Sequence, residues 1–328
     1  MSKAVDVLIL GSGPAGLATA GGIARQLHTA IVFSTGTFRN SGVSHMHNGM
    51  YQAPSSHFHV AGFDHEDPAS FRAKARADIL KRYNTISFHD SGVKSVRKLD
   101  NGSFEAIDVA GQRYEGRRVV VASGVKDTMP EIPGYGDLWG KGIFHCLFCH
   151  GFEERGAVSA GVLASGLFAN AVFPPAIARM ANRLAGSVNV YTEGDESLGS
   201  EIRAFLKSTK RFHIETRKVK SFAKDPDVEG DAGILVTLED GTINKEGFIA
   251  HVPDFELNGS FAMDLGLDIA PQGHINALPP FYNTNVPGVF AAGDCATIMK
   301  SVPMATAMGS FVAGGLAHSL QAEDDVED

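Results

Sequence analysis

The sequence predicts an α/β protein of about two domains, with a Rossmann-like nucleotide-binding fold at its N-terminus. Three observations carry this expectation. The run VDVLILGSGPAGLATAGGIARQL is apolar and β-branched up to Gly11-x-Gly13-x-x-Gly16, then helical in pattern through Leu27. A length of 328 residues exceeds what one core usually fills. Near the C-terminus, VPGVFAAGD reads as a second apolar strand ending in Gly293-Asp294, followed by small residues at helical spacing.

Bulk properties narrow the partners. No hydrophobic run approaches the ~18 to 20 residues of a membrane span, and 44% of the chain is hydrophobic, as in a globular protein. A formal charge of −8 offers no basic patch to displace counterions from phosphates, so small molecules are expected rather than nucleic acid or an anionic membrane. The N-terminus lacks a secretory pattern, which makes the cytoplasm the expected compartment. Three cysteines, Cys146, Cys149 and Cys295, are too few for a disulfide framework.

The first strand, turn and helix form a phosphate cradle. Gly11 permits the tight turn, Gly13 admits a pyrophosphate to the backbone, and Gly16 lets the helix pack on the strand; Ser12, Pro14 and Ala15 complete the loop at the helix N-terminus. The second strand, TAIVFSTG, should end in an acidic residue for ribose hydroxyls. Ser34 and Thr35 stand there instead, and no Asp or Glu occurs between Asp6 and Asp64, so groups from Phe33 to Phe38 must take that role. Asp294, after the C-terminal strand, suits a hydrogen bond to a flavin's ribityl chain.

These motifs resemble a known family. GSGPAGL, VVVASGVKDTMPEIPG, a Cys-x-x-Cys about twenty residues on, and VPGVFAAGD occur in the order and spacing of the low-molecular-weight thioredoxin reductases. The resemblance covers nearly the whole chain. It implies two Rossmann-like, three-layer ββα nucleotide-binding domains: an FAD domain from 1–119 and 250–328, and an inserted domain, 120–249, carrying the cysteines. It also implies FAD as cofactor and a homodimer. Carried over residue by residue, Val93 matches the strand whose backbone meets the adenine, Ala122 the small residue at the domain crossover, and Ser301 and Val302 the contact with the isoalloxazine ring.

The insert departs from that family. A second glycine fingerprint is needed for NADPH, but GAVSAGVLASGLFANAVFPPAIARMA keeps only Gly161 and Gly166. After the next strand, SVNVYTEG, arginines should hold the 2′-phosphate. Residues 184–202 instead contain Glu193, Asp195, Glu196 and Glu201 and no Lys or Arg, leaving Arg179 and Arg183 as the compensating candidates. One like-charge contact at about 4 Å opposes binding by up to ~4 kcal/mol at an effective dielectric near 20. In this respect the chain is more similar to the fungal dithiol oxidases of the gliotoxin type. The stretches GGIARQLHTAIVF, FRN, HMHN, HCLFCHGFEERG, PPFY and VPGVFAAGDCA carry that closer resemblance. It implies an enzyme that closes a disulfide in a small sulfur-containing secondary metabolite of the epidithiodiketopiperazine kind, with O2 as acceptor and H2O2 as product.

The stretch HCLFCHG is then a redox pair. A structural zinc site needs four ligands, no second Cys pair exists, and Cys295 belongs to the Gly293-Asp294 motif, so no metal is expected. By resemblance Cys149 faces the flavin and Cys146 is the sulfur that a substrate thiolate attacks. Thiols are mostly protonated near neutral pH, so a base is required. His150 stands where the broader family often has Asp, and its ordinary pKa near 6.5 suits the task; His145 is the alternative. His45 or His47, in HMHN, matches a histidine that the resembling oxidases place against the cofactor, and His45 is the favoured one. Phe144, Leu147, Phe148 and Phe152 either line a substrate cleft or belong to the core. Two other readings stay open: an NADPH-dependent thioredoxin or disulfide reductase with a divergent nicotinamide site, and a flavin-bound redox sensor with negligible turnover.

Overall fold

The computed structural model describes residues 3–39, 60–230 and 232–327. They fall into two units, the first comprising 3–39, 67–126 and 255–327, the second 60–66, 127–230 and 232–254. The chain thus leaves the first unit after Lys126 and returns at Phe255, a few residues beyond the expected 119 and 249.

The first unit begins with β1 (Lys3–Leu10), α1 (Pro14–Ala24) and β2 (Ala30–Phe33). Next come α2 (Pro68–Arg82), β3 (Ile86–His89), β4 (Val93–Lys98), β5 (Phe104–Asp108) and β6 (Arg113–Val121). Val7 to Leu10 and all of β2 are buried without alternation, the pattern of parallel strands covered on both faces. Parallel registers pair Leu10 with Phe33 on one side and with Val121 on the other. At its start, from Arg113 to Gly116, β6 also pairs antiparallel with β5, and β5 with β4, which adds the third layer expected of the fold.

The chain crosses to the second unit through β7 (Val125–Thr128), then forms α3 (Tyr135–Leu138), β8 (Ile143–Phe144), β9 (Ala157–Leu163), α4 (Phe173–Ala181) and β10 (Ala185–Tyr191). It continues with α5 (Glu196–Phe205), β11 (Phe212–Glu215), β12 (Val219–Lys224), β13 (Ile234–Leu238), β14 (Ile243–Glu246) and β15 (Ile249–Ala250). A sheet ordered β11-β10-β9-β15-β8 carries a separate β12-β13-β14 meander, so the second unit repeats the plan of the first.

The return passes through β16 (Asp254–Leu257), which pairs with β7, then α6 (Phe261–Leu265), β17 (Val289–Ala291) and α7 (Val302–Glu327). β17 joins β6 in parallel, Ala291 opposite Val121, so the carboxyl ends of β2, β1, β6 and β17 meet at one edge. Helix α7 lies close on α1: a Cβ at Gly309 would stand 2.2 Å from the Ala15 carbonyl oxygen, so only glycine fits. No helix among the described residues is long and apolar enough to cross a membrane.

Candidate active site

The strand edge of the first unit is shaped for a dinucleotide. Gly11 takes φ +125°, and a Cβ there would meet the Ala122 carbonyl oxygen at 2.2 Å; a Cβ on Gly16 would meet the Gly11 oxygen at 1.9 Å. Both glycines are required by close approach. Gly13, the N-cap of α1, faces open space, with nothing within 4 Å of its Cβ position. Pro14 opens the helix, and the amides of Ala15 and Gly16 have no hydrogen-bond partner among the described residues. Two orphan donors at a helix N-terminus beside an open backbone fit a pyrophosphate.

The missing acid of the second strand has a visible substitute. The Ser12 hydroxyl donates to Ser34 Oγ at 2.6 Å, and the Gly36 amide donates to the same oxygen at 3.3 Å. Thr35 is exposed beside them, whereas the Phe33 ring is 2% exposed and packs against His89 and Tyr114, so only the Phe33 backbone reaches the edge. Val93 opens β4, just after Gly92, whose Cβ position lies 3.2 Å from the Thr35 methyl. Asp294 begins a short 3-10 turn after β17, and Ser301 Oγ accepts the Met304 amide at the start of α7, next to Val302. His45 lies outside the described residues. The other cofactor residues expected from the sequence all lie in the first unit, with Gly11, Gly13, Gly16, Ser34 and Asp294 at this edge. Phe38, expected from the sequence, has Arg72 stacked on its ring at 4.0 Å, and its neighbour Arg39, readable only as part of a motif, has Nη1 3.2 Å from Asp294 Oδ2.

In the second unit, Cys146 and Cys149 form a disulfide within a single turn that follows β8. The Cys149 amide donates to Cys146 Sγ at 3.1 Å, and the His150 amide donates to the Cys146 carbonyl at 3.0 Å. An amide aimed at one sulfur favours negative charge there when the bridge opens. His150 stacks on Phe144, centroids 5.3 Å apart and 8° from parallel. Burial holds its imidazole below the ordinary value, only partly offset by Glu153, so it is neutral and able to accept a proton near pH 7. His145 leans on Trp139 at 5.9 Å. The four apolar residues divide: Phe144 is core at 4% exposure, Leu147 is half-buried, and Phe148 and Phe152 stand out at 67% and 61%.

The loop after β9 differs from its counterpart after β1. Residues 11–13 separate β1 from α1, whereas residues 164–172 separate β9 from α4. Helix α4 starts Phe173-Pro174-Pro175: the Phe173 amide already donates to Asn170 Oδ1 at 3.0 Å, and the prolines have no N–H. Its first three positions offer no free amide. Gly166, at φ +57°, has the Asp254 carboxylate 3.2 Å from its Cβ position. Ser165 is held by His251, whose Nε2 lies 3.1 Å from Ser165 Oγ; Tyr135 donates its hydroxyl to His251 Nδ1 at 2.6 Å.

The charges at the end of β10 correct the expectation drawn from sequence. Glu193 Oε1 accepts the Val219 amide at 3.0 Å, and burial pushes its carboxyl up. Asp195 caps α5 by accepting from the Leu198 amide at 2.8 Å. Lys218, beyond the arginine-free window, lies along Gly194, its Cε 3.0 Å from the Cβ position there. Repulsion of a 2′-phosphate is thereby weaker than three free carboxylates would give. Three arginines of this unit are engaged elsewhere: Arg179 is bound to the Phe205 carbonyl, Arg203 to those of Leu206 and Phe212, and Arg217 to Glu215 and Asp240.

Comparison with known proteins agrees with this geometry. The family described as Pyridine nucleotide-disulphide oxidoreductase matches residues 5–309. The chain belongs to that family. As a pyridine nucleotide-disulphide oxidoreductase it acts on disulfide or thiol substrates, and its family implies a flavin cofactor and NAD(P)H use. It is 40% identical over 317 residues to the thioredoxin reductase aclD of Aspergillus oryzae, covering 96% of each chain. It is also 40% identical to the thioredoxin reductase tcpT of Claviceps purpurea, covering 96% of this chain and 94% of that one. A putative thioredoxin reductase TrxB from Bacillus anthracis superposes with a TM-score of 0.80 at 20% identity, over 98% and 99% of the two chains, which shows a shared fold.

Proposed function

We propose that this protein is an FAD-dependent dithiol oxidase that closes an intramolecular disulfide in a small sulfur-containing metabolite. One observation carries the choice of oxidase over reductase: the first three positions of α4 present no free amide, while α1 presents two. A dinucleotide pyrophosphate is normally held by such amides. The Asp254 carboxylate beside Gly166 adds a charge of the same sign as the phosphates.

The cysteine turn supplies the chemistry. His150 takes the proton of a substrate thiol, and the thiolate attacks Cys146, forming a mixed disulfide and releasing Cys149 as thiolate. The substrate's second thiol gives its proton to the released Cys149 thiolate and attacks its own sulfur in that bridge. Cys146 then leaves as a thiolate to which the Cys149 amide donates. The substrate is now a cyclic disulfide, and the two electrons reside on the reduced cysteine pair. Gly11, Ser12, Gly13, Pro14, Ala15 and Gly16 with Ser34, Val93 and Asp294 would hold FAD, which when bound would supply the two-electron chemistry that returns the cysteine pair to its disulfide, with O2 as acceptor and H2O2 as product. Exposed Phe148 and Phe152 beside the cysteines suit an apolar small molecule better than a charged one.

The reductase reading draws on the names of the relatives aclD and tcpT. Anaerobic protein mixed with NADPH or with a small aliphatic dithiol separates the two. The oxidase reading expects the dithiol to bleach the flavin within seconds, air to restore it with one H2O2 per disulfide, and both NADPH and NADH to leave it oxidised. Rapid bleaching by micromolar NADPH would establish the reductase instead.

A further inference from the structure

Four rings lead from the loop after β9 to the cysteine turn, all within the second unit. At one end His251 Nε2 lies 3.1 Å from Ser165 Oγ and 3.2 Å from the Ser165 carbonyl oxygen. Tyr135 donates its hydroxyl to His251 Nδ1 at 2.6 Å; burial keeps the phenol protonated and the imidazole neutral, so Nε2 carries the proton that Ser165 accepts. Tyr135 in turn stacks on Trp139, centroids 5.8 Å apart and 22° from parallel, and Trp139 meets the His145 ring at 5.9 Å. His145 is the one residue between β8 and Cys146.

The indole stands where core gives way to site. Tyr135 and Leu138 are 0% and 6% exposed, whereas Trp139 is half-buried at the rim of the same cluster. The backbone around it is tight: the Gly140 amide donates to the Ile143 carbonyl, and the His251 amide to that of Phe144, each at 2.9 Å. Beyond the disulfide turn, the amides of Cys149 and His150 hold Cys146 through its sulfur and its carbonyl.

We infer that Trp139 is a positioning residue for Cys146, acting through the His145 ring and braced by Tyr135 and His251. The inference rests on the reading of Cys146 as the sulfur that a substrate thiolate attacks. That step makes a bond from the substrate sulfur to Cys146 and breaks the bond to Cys149, which leaves with the electron pair. The three sulfurs must lie near a line, so a ring that fixes the residue before Cys146 fixes the direction from which its sulfur can be approached.

Two rates read this in the full-length protein: anaerobic opening of the Cys146–Cys149 bridge by a small aliphatic dithiol, counted as alkylated thiols by mass spectrometry, and flavin reduction by stopped flow. Trp139→Ala should slow both roughly 10- to 100-fold, the scale of a misplacement of about 1 Å, and the loss should fall on the limiting rate rather than on the dithiol concentration at half-maximum. Trp139→Phe, which keeps a ring, should recover most of it. Tyr135→Phe, which removes only the hydroxyl bound to His251, should lose less in the same direction. In a His145→Ala background Trp139→Ala should cost far less, because the ring it holds is gone. Iodoacetamide alkylation of Cys146 in Cys149→Ser should change little when Trp139→Ala is added, since a free thiol needs no line of sulfurs. Trp139 is the only tryptophan of the chain, so His145→Ala should also shift its emission. Circular dichroism and melting mark any variant that has not folded, and the two Phe variants then carry the test. Bridge opening in Trp139→Ala as fast as in wild type, or equal losses with and without His145, would overturn the inference alone. A wild-type bridge that no dithiol opens would remove the dithiol reading and this inference together.

Discussion

Asn170 Oδ1 accepts the amide of Phe173 at 3.0 Å and so occupies the only amide that the first three positions of α4 possess. The same side chain also accepts the Val172 amide at 2.9 Å. A helix start that in the first unit is open to a ligand is in the second closed by the protein's own side chain.

NADPH affinity should therefore be poor for a structural reason. Each lost donor to a charged phosphate removes about 1.5–3 kcal/mol, so two or three lost donors move a micromolar site to roughly millimolar or weaker. Calorimetric titration with NADPH should show no saturation below that range. Lys218 beside Gly194 should leave a weak, salt-sensitive residual, and Lys218→Ala should abolish it.

The two cysteines should separate spectroscopically. If Cys149 is the flavin-side sulfur, Cys146→Ser should give a long-wavelength thiolate–flavin absorption band and Cys149→Ser should lack it. The Cys149 amide aimed at Cys146 Sγ makes a second claim. In Cys149→Ser the Cys146 thiol should react with iodoacetamide below the pH expected of an ordinary thiol, because that amide favours the thiolate. A band in Cys149→Ser and none in Cys146→Ser would exchange the roles.

His251 predicts how stability depends on pH. Burial drives its imidazole down to about 4, against a hydrogen bond with Ser165 that opposes the shift, and its ring is wedged among Tyr135, Phe168 and Ser165. The unfolded chain binds a proton at its ordinary value near 6.5, before the folded one does, so stability is full above about 6.5 and falls as pH drops towards 4. The loss at the lower end is roughly 3 kcal/mol. Urea melts at a series of pH values should show His251→Gln less stable at pH 7 but with a shallower decline between pH 6.5 and 4. Parallel declines in both proteins would remove His251 from the effect.

Sequence pattern reached the first unit more completely than the second. Gly11, Gly13, Gly16 and Asp294 lie on strand–turn–helix segments whose chemistry is local, so their placement follows from spacing. Arg39 was legible only as a letter in FRN, because its partner Asp294 lies 255 positions away and contact at that separation leaves no periodic trace. The acidic run after β10 was legible as composition but misleading as electrostatics. Glu193 and Asp195 spend their carboxylates on backbone amides, and Lys218 arrives from the next turn of the chain. Conversely, Asn170 followed by Phe173-Pro174-Pro175 is a local signal: a capping side chain and two residues without N–H mark a helix start that offers no free amide in its first three positions.

The remaining prediction concerns the base. His150 is held below its ordinary pKa by burial against Phe144, so its neutral form persists to lower pH than a free imidazole's. If it takes the substrate proton, flavin reduction by dithiol should be flat near pH 7 and fall on the acid side, with a midpoint below 6.5, as His150 protonates. His150→Ala should lower that rate roughly a hundredfold or more at pH 7, the usual range for general base catalysis. Its deficit should shrink as pH approaches the thiol pKa, where the substrate ionises unaided. The acid limb should also vanish from the variant. Stopped-flow reduction of wild type, His150→Ala and His145→Ala across pH 5 to 9 measures all three features. A His150→Ala protein with normal rates at pH 7 and an intact acid limb would assign the proton to His145, which leans on Trp139 immediately before Cys146.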